Sequence, residues 1–224
     1  MHDSSTQAAS APAARDDAPQ TTAPPDLPAP IFTTARLLVR PLHPQDAPSM
    51  SRAANTPAIA KHMTNTFPSP YTLDSATTWI AMNRDPPFLN WAICSAAAPD
   101  QVVGGCGLKP GADVQGCGVE IGFWLGEPWW GKGYMTELLR GMVGWVFGSE
   151  EGVRLSGRPG GWTRVWGWVF GGNEGSLRVF EKAGFRREGV MRGAAEKWGE
   201  SVDLVVFGLL KGEWEERKKK ETAE

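Results

Sequence analysis

The sequence predicts an α+β fold, on three observations. Leu89 to Ser95, Val102 to Leu108 and Gly118 to Leu125 are strand-like runs separated by short Ala/Pro/Asp- and Gly-rich turns, the pattern of antiparallel neighbours. From Tyr134 the apolar period becomes helical, with Met135, Leu139, Val143 and Phe147 on one stripe and Leu138, Met142 and Val146 beside it. The order of elements is a strand, helices, three strands, a helix, a strand, a helix and two strands, which departs from the regular βαβα alternation of a nucleoside-triphosphatase core.

Taken in order, residues 1–30 are rich in Ala, Pro, Ser and Thr and nearly lack large apolar side chains. Such a segment cannot offset its ordering entropy, so a disordered tail is expected. A transit peptide fits poorly, because Asp3, Asp16, Asp17 and Asp26 outnumber the single Arg15. One domain is expected over residues 31–214. Thr34 to Leu42 sets Leu37 and Val39 against Arg36, Leu38 and Arg40, a first strand with one well-buried side. His43 to Met63 suits two short helices broken at Pro57, and Thr72 to Asn83 a third, with Thr72 as cap and Asp74 at the positive end of the dipole. Ser149 to Thr163 has no period and is long for a connection, so a substrate lid or, preferably, a disordered insertion is expected. Arg164 to Phe170 reads as a strand, Asn173 to Ala183 as a short helix, and Phe185 to Met191 and Ser201 to Leu210 as the last strands. Residues 215–224 read as a charged tail, in which Arg217 to Lys220 is a nuclear signal, a dock for an acidic partner or a solvated end.

The chain has 224 residues, 41% hydrophobic, enough for the core of one medium-sized domain. A formal net charge of -2 supplies no broad basic field, which argues against nucleic acid as the main partner. Cys94, Cys106 and Cys117 make no disulfide framework and, with His2, His43 and His62, no zinc spacing. No metal is expected, and a reducing compartment fits. No apolar run reaches the ~20 residues of a bilayer span. A cytoplasmic protein is expected, without a membrane partner and with the nucleus as the alternative.

The stretch GEPWWGKGYMTE, Gly126 to Glu137, carries the chemistry. Gly126, Gly131 and Lys132 match a phosphate loop for nucleoside triphosphates, but Gly133 stands where the magnesium-binding Ser or Thr belongs. A strand feeding a Gly-rich turn into a helix suits anions in general, since free N–H groups and the helix dipole converge there. On the preceding strand Glu120 shares a face with Gly122 and Trp124, an unusual setting for a surface carboxylate.

VEIGFWLGEPWWGKGYMTELLRGMVGWVF, Val119 to Phe147, and NEGSLRVFEKAGFRREGVMR, Asn173 to Arg192, resemble the central motifs of the GNAT N-acyltransferase superfamily. The pair W-G-K-G-Y-x-T-E and N-x-x-S-x-R-V-x-E-K-x-G-F, with the opening TARLLVRPLHPQDA, is similar to the branch containing ribosomal-protein N-terminal acetyltransferases. The likeness spans residue 32 to about 214. It implies a mixed, mostly antiparallel central sheet, splayed at the cofactor cleft and flanked by helices, with acetyl-CoA as cosubstrate. The pyrophosphate would sit on the amides of Trp130, Gly131, Lys132, Gly133, Tyr134 and Met135, with Thr136 beside them. The pantetheine arm would run along Phe123, Trp124 and Leu125 as an added strand would.

The implied reaction is acetyl transfer to a primary amine, of a protein or peptide N-terminus or a small molecule, by direct attack in a ternary complex. Glu120 is the expected base; the alternatives are that it orients the substrate ammonium or pairs with a structural Arg. Asn173 matches a family asparagine that contacts pantetheine, and Ser176 would assist the leaving sulfur or simply cap its helix. Phe180 stands where many relatives outside this branch carry a tyrosine acid. Pro128 replaces the polar residue that often begins the loop, and Trp129, Trp130, Trp166 and Trp168 flank the cleft in sequence. A non-catalytic acyl-CoA-binding regulatory module is the alternative function. A monomer and a homodimer both remain open.

Overall fold

The structure, a computed structural model, describes residues 27–223. The expected N-terminal tail therefore lies outside the described residues as far as residue 26. Among the described residues the chain forms eight strands and seven helices. These are β1 (Phe32–Thr33), β2 (Leu37–Pro41), α1 (Ala47–Ala54), α2 (Pro57–Ala60), α3 (Leu73–Met82), β3 (Asn90–Ser95), β4 (Ala98–Pro110) and β5 (Gly118–Leu125). There follow α4 (Tyr134–Gly148), α5 (Glu150–Ser156), β6 (Arg164–Phe170), α6 (Glu174–Ala183), β7 (Arg186–Lys197), β8 (Glu200–Leu210) and α7 (Lys211–Ala223).

The strands make one sheet in the order β1-β2-β3-β4-β5-β6-β8-β7. Every neighbouring pair is antiparallel except β5 and β6, so the α+β expectation holds. The parallel contact consists of Gly118 opposite Arg164, Val119 opposite Val165 and Glu120 opposite Trp166, and there it stops. Beyond it β5 continues to Leu125 and β6 to Phe170 with no strand between them. The sheet is open in its middle.

Two hydrophobic cores cover the two faces. Leu139, Met142, Val143 and Val146 of α4 pack with Leu37, Val39, Trp91 and Val119. On the other face Met50 and Ala54 of α1 and Ala76 and Ile80 of α3 pack with Leu38, Ala92 and Cys94. The strand β2 is thus buried on both sides, not on one, because α1 and α3 cover the face that carries Arg40. That guanidinium is 1% exposed and grips Asp46 through Nη1 at 2.9 Å and Nη2 at 2.7 Å, while Nη2 also donates to the Pro99 carbonyl at 3.1 Å. Asp46 in turn accepts the His43 N–H at 2.8 Å, which fixes the chain's turn from β2 into α1. Thr72 caps α3 as expected, accepting the Ser75 N–H at 3.1 Å.

Two expectations need correcting. Residues 149–163 are neither an insertion without structure nor a wall of the central cleft. Ser149 Oγ accepts the Gly152 N–H at 2.9 Å to start α5, Gly157 ends it at φ 63, and Trp162 is 1% exposed. The charged end, expected as a tail, is the helix α7. Its Trp214 ring lies 5.6 Å from Phe147, and Arg217 donates to the Gly184 carbonyl.

Removing one partner from a buried, hydrogen-bonded ion pair leaves the other charge unpaired. Asp46→Ala is therefore expected to lower the unfolding free energy by about 3–5 kcal/mol, read from urea denaturation at neutral pH.

Candidate active site

The parting of β5 from β6 makes a cleft of about 670 Å³. One wall is the free edge of β5 from Ile121 to Leu125, and the other is β6 with the start of α6. Phe180 of α6 fills the floor between them, 2% exposed, with its ring 5.5 Å from Phe123 and stacked 5.1 Å from Phe207. The packing demands glycine at 167, because a Cβ there would come within 2.6 Å of Phe180 Cζ.

At one end of the cleft the chain passes from β5 through a 3-10 turn, Glu127–Trp129, into the loop that opens α4. Gly133 holds φ 80 at the N-cap and Gly131 holds φ 71, a left-handed backbone that favours glycine, and the first residues of α4, whose amides have no partner within the helix, line the cleft. Lys132 does not join them. Its Nζ donates to the Pro128 carbonyl at 2.7 Å, and it is absent from the cleft lining, unlike the other expected loop residues, Trp130, Gly131, Gly133, Tyr134, Met135 and Thr136.

The loop is clamped from the neighbouring strand region. Glu137 accepts from Thr34 Oγ1 at 2.6 Å, Arg36 N at 2.8 Å and Arg36 Nε at 2.7 Å. Arg36 Nη1 donates to the Lys132 carbonyl at 3.0 Å, and its guanidinium lies 4.1 Å over the Tyr134 ring. Partial burial would push the Glu137 carboxyl up, but the hydrogen bonds from Thr34 and Arg36 and the guanidinium charge outweigh it and hold the carboxyl below its usual range.

The remaining expected residues meet around the parting. Glu120 sits at its apex, its side chain 14% exposed, with Oε1 2.9 Å from Lys109 Nζ; the expected structural partner was Arg, and Lys109 takes that place. Asn173 is the N-cap of α6, its Oδ1 accepting the Ser176 N–H at 3.2 Å, so both lie in the first turn. Asn173, Ser176, Phe123, Trp124, Leu125 and Phe180 all line the cleft. Trp129 and Trp168 do too, whereas Trp166 does not.

The description of an acetyltransferase (GNAT) domain matches residues 36–186. The chain belongs to the GNAT acetyltransferase family. The GNAT chain is 27% identical over 185 residues to p20 of Bacillus licheniformis, an uncharacterized N-acetyltransferase, covering 81% of this chain and 96% of that protein. In fold it is similar to a GNAT-family acetyltransferase from Bacillus anthracis, with a TM-score of 0.68, 19% identity, and coverage of 81% of this chain and 98% of that one. RimL, a ribosomal α-N-protein acetyltransferase in complex with coenzyme A, has a TM-score of 0.64 at 16% identity and covers 81% and 98% of the two chains. The sheet open at its centre is the one the GNAT resemblance led us to expect.

Several GNAT cleft residues escaped the sequence reading. Arg178 and Lys182 line the wall from α6, and their spacing of four on one helix, just after Ser176, was a legible sign. Residues 58–64, the end of α2 and the turn after it, bring Lys61 and His62 to the cleft, and nothing in their local sequence announces it. Arg36 was read only as the polar face of the first strand.

A carboxyl whose folded pKa is depressed stabilises fully above its unfolded value, and that stabilisation is lost as pH falls through the folded value. In Glu137→Gln the unfolding free energy at pH 7 is expected to drop by about 1 kcal/mol, since the partner Arg36 is partly exposed. The further loss between about pH 5 and pH 3 should be smaller than in the parent. Urea titrations across that window read both effects.

Proposed function

We propose that the protein is an acetyl-CoA-dependent N-acetyltransferase that acts on a primary amine by direct attack in a ternary complex. The observation that carries this reading is the strand-wide gap between β5 and β6, with amides at one end and Glu120 at its apex. A free strand edge suits the peptide-like amides of a pantetheine arm. The apolar floor of Phe123 and Phe180 suits its methylenes, and the loop amides flanked by Arg178 and Lys182 suit a pyrophosphate. RimL, in the same fold, holds coenzyme A.

Acetyl-CoA supplies an activated acyl group on a thioester. Glu120, held by Lys109, takes the proton that the acceptor ammonium must lose before its nitrogen can attack. Asn173 Nδ2 makes no hydrogen bond among the described residues and is free for a ligand carbonyl, and the Ser176 hydroxyl serves the departing thiolate. No phenol competes for that task at position 180. A covalent acyl-cysteine route is disfavoured, because no cysteine among the described residues lines the cleft and burial pushes the Cys94 thiol up to about 12 and raises that of Cys106 as well.

Incubation with acetyl-CoA and a panel of peptide and small-molecule amines, with free thiol followed optically, tests the reading. Glu120→Gln is expected to lower kcat by about 100-fold or more with little change in acetyl-CoA affinity by calorimetry. Acetyl-CoA binding without thiol release across the panel would leave a ligand-binding module instead.

A further inference from the structure

The cleft passes through the sheet, and its two ends differ in their chemistry. Glu120, Gly122 and Trp124 point to the face covered by α1 and α3, where Trp124 meets Phe67 edge-on with centroids 6.2 Å apart. On that side the cleft is bounded by residues 58–64 and by Lys109, which stands opposite Glu120 across the β4–β5 ladder. The tip of the β7–β8 hairpin reaches the same turn. Asn65 Nδ2 donates to the Glu196 carbonyl at 3.0 Å, and Lys197 Nζ to the Thr64 carbonyl at 3.4 Å.

This mouth gathers cations. The ammonium groups of Lys61 and Lys109 line it beside the His62 imidazole, and Lys197, 6% exposed, lies behind Thr64. Burial, then the charges of Lys61 and Lys197, hold the His62 imidazole below its usual range, so it favours its neutral form. The other lining carboxylate, Glu174, belongs to the α6 wall, so the lining acid at this mouth is Glu120, which Lys109 neutralises, and Lys61 is left as the lining charge with no ion-pair partner among the described residues; Lys197 stands outside the lining with Glu196 and Glu200 of its own hairpin tip. A polyamine or a Lys-rich chain would bring more positive charge into a positive mouth. An acceptor with carboxylates near its amine would be drawn in, and the same field favours loss of the ammonium proton.

We propose that the acceptor is a primary amine whose carrier places carboxylates close to the reacting nitrogen, either the N-terminus of an acidic peptide or a free amino dicarboxylate. The inference rests on the acetyl-transfer reading. The ammonium gives one proton to Glu120, the freed amine nitrogen bonds to the thioester carbon, the carbon–sulfur bond breaks, and the nitrogen's second proton is relayed by way of Ser176 to the departing thiolate. The product is an anionic amide.

Four acceptors test it: three hexapeptides that begin with the same residue and continue in Asp/Glu, Ser/Gln or Lys/Arg, and free glutamate. The acidic peptide is expected to exceed the basic one in kcat/KM by about tenfold or more, with the gap narrowing as salt is raised. Turnover of glutamate at or above the acidic peptide would assign the small molecule, and the reverse the peptide. Lys61 is exposed, so Lys61→Glu and Lys61→Gln should keep the parent melting temperature while the acidic-to-basic ratio falls, by about tenfold in the first and less in the second. Transfer to neutral or basic peptides as fast as to acidic acceptors, or a ratio indifferent to both Lys61 variants, overturns the anionic acceptor and leaves acetyl transfer standing. Acetyl-CoA binding with no thiol release from any acceptor overturns both.

Discussion

The separation of β5 from β6 after three rungs governs the rest of the molecule. Strand edges inside a sheet leave backbone donors and acceptors without partners, and a fold keeps such a defect only where something else occupies it. Here both flanks of the gap are well anchored, β5 by seven residue pairs to β4 and β6 by seven to β8, so the opening is a seam between two firm halves rather than a frayed margin. Phe180 enters from α6 and keeps the seam from closing against the bare backbone of Gly167. Because the strands diverge, the loop at the end of β5 and the start of α6 are brought to one cavity, and the site exists by virtue of that geometry.

Precision then comes from polar contacts placed away from the seam. Arg36 and Glu137 connect the edge beside β2 to the first turn of α4, so the left-handed backbone at Gly131 and Gly133 is supported from outside. Arg40 and Asp46 do the equivalent on the opposite face, tying the turn before α1 to the sheet. Each pair joins residues whose roles are unlike in the sequence, one from a strand or the bend just before it and one from a helix or its entry.

Strongly periodic segments were legible because burial on one face imposes the period, as in α4 and in β5 with its alternation of Val119, Ile121 and Phe123 against Glu120 and Trp124. The tight turn of the loop was legible from its glycines, which hold positive φ at 131 and 133, and its flanks pointed to the family. The short helix α5 was missed although Ser149, Glu150 and Gly157 mark its start and stop, since seven residues with Gly152 inside are too few to show a period. The helix α7 was missed because a single apolar anchor, Trp214, holds an otherwise charged surface. At the site, the residues of the loop and of the start of α6 came from contiguous motifs, and all but Lys132 line the cleft. Lys61, His62 and Lys109 came from segments separated in sequence, and only folding brings them to the cleft that Glu120 lines. Lys132 was expected on the pyrophosphate by its place in the motif, yet the nearest acceptor for its ammonium is the loop's own carbonyl at Pro128.

The helix α7 has a consequence in time as well as in space. It leaves the ribosome after every other described element, yet Trp214 covers Phe147 at the end of α4, and Arg217 ties down the carbonyl of Gly184 where α6 stops. Both helices that shape the cleft are therefore finished by a segment synthesised after them. Until it emerges, a nascent chain carries an uncovered aromatic at the end of α4, the kind of exposed surface that invites association with other chains during folding.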